Sequence, residues 1–201
     1  SNTTTLGISH LPFTVKGANS LAGLSEINVS HLELENLSFP YCVSINSLFI
    51  NEESTGNTYN TADITVTLAH ELGHYLGLHH VFSETENENS CEDTDYCADT
   101  PTYNKKAYDM DCAYIEVNDP DNFTFANLVN RENCLTGESF VSYNIMDYAI
   151  SYSDRFTPEQ RARIRHVLLY SPLIPGPKAG QEAGTRSAPS GLMKLPIRTA
   201  K

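Results

Sequence analysis

The chain of 201 residues carries 25 acidic against 13 basic side chains, a formal net charge of -12 and an isoelectric point near 4.9. That balance excludes a nucleic-acid or anionic-membrane surface, which needs clustered Lys and Arg to neutralise phosphates. With 40% hydrophobic residues the length supports one sizeable core, and there is no run of about twenty apolar residues to span a bilayer.

The opening "SNTTTLGISH" has neither the basic region nor the apolar run of a secretory signal, so any export signal is expected to have been removed from the chain or never included in it. From Gly7 to Asn51 the pattern is strand-like. "GISHLPFTV" and "CVSINSLFI" alternate β-branched and aromatic residues, with Val43, Ile45 and Phe49 on one face, predicting two strands around a polar loop.

Thr61 is placed to cap a helix over 62–77, with Ile64, Leu68, Leu72 and Leu76 recurring at helical spacing. The stretch from Val81 to Tyr143 is acidic, rich in turn clusters such as "ENENS" and "NDPDN", and shows no sustained period, so bridges or ions would have to hold it. Four of the five cysteines, Cys91, Cys97, Cys112 and Cys134, lie in it and predict two disulfides, with Cys42 a free thiol. Four cysteines allow three pairings, and spacing does not choose among them; Cys91 with Cys134 and Cys97 with Cys112 would nest.

"FTPEQRARIRHVLLYSP" predicts a second helix. Thr157 caps it, Pro158 takes the first position, Gln160 completes a capping box, Ile164 and Leu168 face inward and Pro172 stops it. Beyond it, residues 174–201 are Pro-, Gly- and Ser-rich and read as a surface tail. No internal repeat is visible.

The chemistry concentrates in "TLAHELGHYLGLHHVF". His70 and His74 are four apart on the predicted helix, so both imidazoles project from one face and can share a Zn²⁺. A catalytic zinc takes a third protein ligand, which must come from another direction. Gly77 can adopt the left-handed conformation that ends helices, letting the chain swing His80 back while His79, one residue off in register, points elsewhere. Glu71 is placed to act as general base on a water molecule activated by the metal.

A lone HExxH arises by chance in ordinary helices. The longer string "HELGHYLGLHH" together with "NIMDY" downstream resembles the metzincin clan of zinc endopeptidases. "ADTP" at 98–101 and the cysteine after the histidines are most similar to the pappalysin-type branch and related bacterial metzincin lipoproteins, the likeness running from Asn57 to about Arg165.

The resemblance implies an α+β fold: a small mixed sheet with an active-site helix, an irregular lower lobe and a C-terminal helix. The catalytic domain would occupy 1–173, with an upper lobe at 1–77 and a lower lobe at 78–173. It implies Met146 as an apolar floor beneath the zinc and Tyr148 with its hydroxyl near the metal or the scissile carbonyl. It also raises calcium in the loop after the third histidine, where Glu92, Asp93, Asp95 and Asp99 offer oxygen ligands, although the spacing matches no fixed calcium loop and a solvated acidic loop explains it equally.

The chain departs from the branch in its short region ahead of the zinc helix and in lacking a cysteine after "NIMDY". The implied activity is hydrolysis of internal bonds in an extended polypeptide laid along an edge strand near Gly7 to Phe13, by a secreted or surface-anchored protein that includes the lipoprotein option. Some relatives prefer basic residues near the cut, for which Asp154 is the carboxylate to consider. The competing readings are a non-catalytic zinc-binding surface module and an exopeptidase on the same scaffold.

Overall fold

The structure is a computed structural model and describes residues 4–28, 41–55, 60–148, 150–174 and 178. The expected tail at 174–201 lies almost wholly outside the described residues. "GISHLPFTV" divides into β1 (Gly7–Ser9) and β2 (Thr14–Val15), the break falling at Pro12, which has no N–H to donate to a ladder. β2 pairs in parallel with β3 (Glu26–Ile27). β1 pairs antiparallel with β4 (Val43–Ile45), Gly7 opposite Ile45 and Ser9 opposite Val43. Phe49, expected on the face of Val43 and Ile45, instead ends a 3-10 turn, Ser47–Phe49, whose cap Asn46 accepts from the Leu48 N–H at 3.1 Å.

Helix α1 (Ile64–Tyr75) starts two residues later than the 62–77 expectation, because Asp63 rather than Thr61 caps it. Asp63 Oδ1 accepts from the Thr65 and Val66 N–H groups at 2.9 and 3.3 Å, while Oδ2 takes the Ser54 N–H at 2.7 Å. At the far end Gly77 adopts φ +90°, and the Leu78 N–H reaches Gly73 O as the Gly77 N–H reaches His74 O, both at 2.9 Å. This is a Schellman termination, which requires a left-handed residue after the cap. The buried face carries Thr67, His70, Glu71 and Gly73, whereas Leu68 and Leu72, which recur at helical spacing, stay 43% and 42% exposed. The histidine face, not the aliphatic stripe, is turned inward.

The lower part holds an unexpected helix, α2 (Lys105–Asn118), then α3 (Phe125–Leu128) and a hairpin of β5 (Asn130–Glu132) with β6 (Ser139–Val141). Asn104 caps α2 by accepting from the Ala107 N–H at 2.8 Å. None of the residues of α2 is buried, so the helix leaves little apolar period to read in a sequence. One disulfide, Cys91–Cys134, closes this region with a Cα–Cα distance of 5.8 Å. The nested Cys97–Cys112 partner bond is not formed: Cys97 is buried beside Asp95, and Cys112 stands on α2.

Helix α4 (Pro158–Tyr170) has the full expected capping box between Thr157 and Gln160. Its buried face is Gln160, Arg163 and Val167; Ile164 is half-buried and Leu168, expected inward, is 41% exposed. Polar anchors set that rotation. Arg163 Nε donates to Gly77 O at 2.6 Å and its Nη2 donates to Ala22 O at 2.5 Å. Val167 joins Leu24 and Ile174 in one small core cluster, while Leu78, Val81 and Met146 form another, against which Phe156 and Ile164 pack.

Arg163 thus clamps the bend that ends α1. Replacing Arg163 with Ala strands the buried Gly77 carbonyl and leaves that of the exposed Ala22 to water, and is expected to lower unfolding stability in urea by about 1–3 kcal/mol. A loss under about 1 kcal/mol would show that water replaces the guanidinium there.

Candidate metal centre

His70 and His74 leave the buried face of α1, and the chain that turns at Gly77 returns His80 to them. Their Nε2 atoms form a near-equilateral triangle, with His74 to His70 and His74 to His80 both 3.1 Å and His80 to His70 3.2 Å. Among the described residues this is the one group of three or more His, Cys, Asp or Glu side chains suited to holding a metal ion. His79 faces away, its ring 5.4 Å from that of Tyr96.

Each outward nitrogen is anchored. His70 Nδ1 bonds Ile145 O and His74 Nδ1 bonds Leu78 O, both at 2.8 Å. A carbonyl only accepts, so both Nδ1 atoms carry the proton and both Nε2 atoms present lone pairs. His80 Nδ1 meets the Glu84 carboxylate, another pure acceptor when ionised, and the same tautomer follows.

Burial, with neighbouring imidazoles adding to it, pushes His70 down to about 3 and His74 down to about 4, so protons do not relieve the crowding near neutral pH. Three imidazole nitrogens facing one another call for a cation. Nitrogen ligands of a tetrahedral zinc, each at about 2.0–2.1 Å, lie about 3.3 Å apart, so the donor set and spacing fit that ion.

Glu71 is buried beside the triangle, and burial raises its carboxyl above the usual range, which strengthens it as a base. Met146 is fully buried and packs with Leu78 and Val81. A Cβ at Gly73 would lie 2.3 Å from Met146 Sδ, which explains a glycine in the middle of this helix. Tyr148 is 44% exposed, its ring centre 4.7 Å from that of His80 and 5.8 Å from that of His70. Burial also raises its hydroxyl pKa.

Other sequence candidates fall elsewhere. Asp95 is buried, its oxygens accepting from the Cys97 N–H at 2.9 Å and the Thr100 hydroxyl at 2.6 Å, with Asp93 accepting from the Asp95 N–H at 3.4 Å. Asp99 accepts from the Glu159 N–H at 3.0 Å, at the start of α4, and Glu159 in turn accepts from the Ala98 N–H at 2.6 Å. These carboxylates close loops through protein donors; Glu92 adds only its N–H, donated to Ser83 Oγ at 3.1 Å. Asp154 is bonded to Arg155 and does not line the cleft.

Two features at the site escape sequence reading. Glu84 lies four residues beyond His80 in a loop without periodicity, and only that i, i+4 offset hints at it. The second is α2, which brings Lys105, Tyr108, Asp109 and Cys112 to a cleft of about 930 Å³ that also contains Glu71, the three histidines and Tyr148.

Gly73→Ala tests the Met146 contact. Helix propensity alone would favour Ala by about 1 kcal/mol. The collision with a fully buried thioether predicts instead a net loss of about 1–3 kcal/mol in urea unfolding. A stabilised variant would mean that Met146 can move aside.

Comparison with known proteins agrees with this geometry. A sequence model of the Peptidase M43 family, described as pregnancy-associated plasma protein-A, matches residues 42–169. Proteins named extracellular metalloprotease from Arthroderma benhamiae and Trichophyton verrucosum are each 36% identical over 99 residues, which is 49% of this chain and 29% of theirs. A protein of the same name from Arthroderma otae is 35% identical over 99 residues. The aligned stretch therefore spans under a third of these curated relatives' length. No solved structure matches the chain. The family match covers more than half of the chain, and with its mixed helices and small sheets this α+β protein belongs to the Peptidase M43, pappalysin-like branch of the metzincin metalloproteases.

Proposed function

We propose that the chain is a zinc endopeptidase in which His70, His74 and His80 hold the metal, Glu71 is the general base and Tyr148 assists at the carbonyl oxygen. The observation that carries this reading is the triangle of Nε2 lone pairs at 3.1–3.2 Å, each ring fixed from behind through Nδ1. When bound, zinc supplies Lewis acidity that polarises the scissile carbonyl and lowers the pKa of water.

Glu71 accepts a proton from the attacking water and delivers it to the leaving amine. Its raised carboxyl pKa suits both halves of that transfer. Tyr148, beside His80 at the cleft mouth, donates its hydroxyl hydrogen to the carbonyl oxygen as charge develops there. No acyl-enzyme forms, because water and not a side chain is the nucleophile.

The substrate lies extended against β1, whose second edge pairs with no described strand and whose residues line the cleft. Main-chain bonding of that kind favours internal segments of unfolded chains. Among the described residues no helix is long and apolar enough to cross a membrane. With relatives named extracellular metalloproteases, we place the activity outside the cell. Glu84 acts through His80, holding a loop-borne ring that has no helix to orient it.

Glu71→Ala is expected to keep one zinc per chain and lose casein cleavage by about 100- to 10,000-fold. His80→Ala should lose both zinc and cleavage. Full activity in Glu71→Ala would refute the assignment, and dipeptide turnover without casein cleavage would favour an exopeptidase.

Glu84→Ala is expected to weaken zinc binding about 10- to 100-fold in a chelator competition while leaving the unfolding of the metal-free protein unchanged. Unaltered affinity would remove Glu84 from the site.

A further inference from the structure

We propose that the side-chain pocket beside the metal centre accepts an uncharged, apolar or aromatic substrate residue and rejects basic and acidic ones. The proposal rests on the peptidase reading above. Beyond the histidines the cleft is walled by Val66 and Thr67 of α1, Tyr103, Tyr108 and Cys112 on and beside α2, and Ile150. An aliphatic or aromatic side chain entering there exchanges water for apolar contact.

Apart from Glu71 and the histidines, the charged groups of that lining are already paired. Asp147 accepts from the Tyr103 hydroxyl at 2.5 Å, from the Tyr148 N–H at 2.7 Å and from the Ser142 hydroxyl, and Arg131 Nη2 stands 3.8 Å away. Both side chains of that ion pair are 1% exposed. Arg131 is buried and engaged in turn: it donates to Leu128 O and to Ile150 O, the latter at 2.6 Å, and its guanidinium lies 3.7 Å from the centre of the Tyr108 ring. Asp109 is paired with Lys105 at the rim.

Glu71 sits at the metal centre, where the scissile bond must lie. Asp154, the carboxylate that sequence raises for a basic preference, is bound to Arg155 at 2.6 and 3.0 Å outside the cleft. A Lys or Arg side chain would therefore lose its water without gaining a carboxylate, and an Asp or Glu would gain no free cation.

The test is a peptide library in which both residues flanking a single bond are varied, incubated with the zinc-loaded protein and read by mass spectrometry, with Glu71→Ala as blank. Leu, Ile, Phe or Tyr at the pocketed position is expected to give a kcat/KM about 100-fold above Lys, Arg, Asp or Glu there. Preferred cleavage beside a charged residue overturns the proposal.

Ile150→Asp supplies the missing carboxylate while keeping the main-chain carbonyl that Arg131 uses, and should raise cleavage beside Lys and Arg by about tenfold or more. An unchanged profile in that variant would show that this wall does not meet the substrate. Failure of the zinc-loaded parent protein to cut any member would instead overturn the peptidase reading, and this proposal with it.

Discussion

Three imidazole lone pairs are driven together in this protein, and much of its architecture exists to keep them there. Left alone the rings would rotate apart. They are held by acceptors from three separate stretches: Ile145 O from the segment before Met146, Leu78 O from just past the bend, and the Glu84 carboxylate from the following loop. The bend at Gly77 that makes His80 available is gripped from outside by Arg163, so α4, remote in sequence, sets the direction of the third ring. Met146 packs with Leu78 and Val81 and leaves no room for a Cβ at position 73.

Regular apolar packing supplies little of this order. Among the described residues the buried apolar clusters are small, and the lower part is organised by buried polar side chains. Asp147 is the centre of that network. By tying Tyr103, Ser142, Arg131 and the Tyr148 main chain together, it fixes the turn on which both Met146 and Tyr148 ride. A buried ion pair rarely adds stability over an apolar replacement, but one tied into further hydrogen bonds specifies a single arrangement, which a metal site needs more.

Where a local signal was strong, the sequence was legible. Thr157, Pro158 and Gln160 place α4 correctly, and the spacing of His70, His74, Gly77 and His80 anticipates their convergence. Local reading fails where tertiary contacts decide. Leu68, Leu72 and Leu168 keep helical spacing yet stay well exposed, because polar anchors rather than aliphatic stripes set the rotation of both helices. α2 buries none of its residues, so no period marks it, and the part of the cleft wall it builds could not be foreseen. Cysteine arithmetic anticipates the Cys91–Cys134 bridge as one of several options, but it cannot see that Cys97 and Cys112 belong to different neighbourhoods.

That bridge spans 43 residues of sequence, and all of α2 lies within the loop it closes. Closing a loop of that length removes about 4 kcal/mol of disorder from the unfolded chain. It also means that a single nick anywhere between the two cysteines leaves the fragments covalently joined. The wall of the cleft that α2 carries therefore stays tethered to the rest of the chain after such a cut.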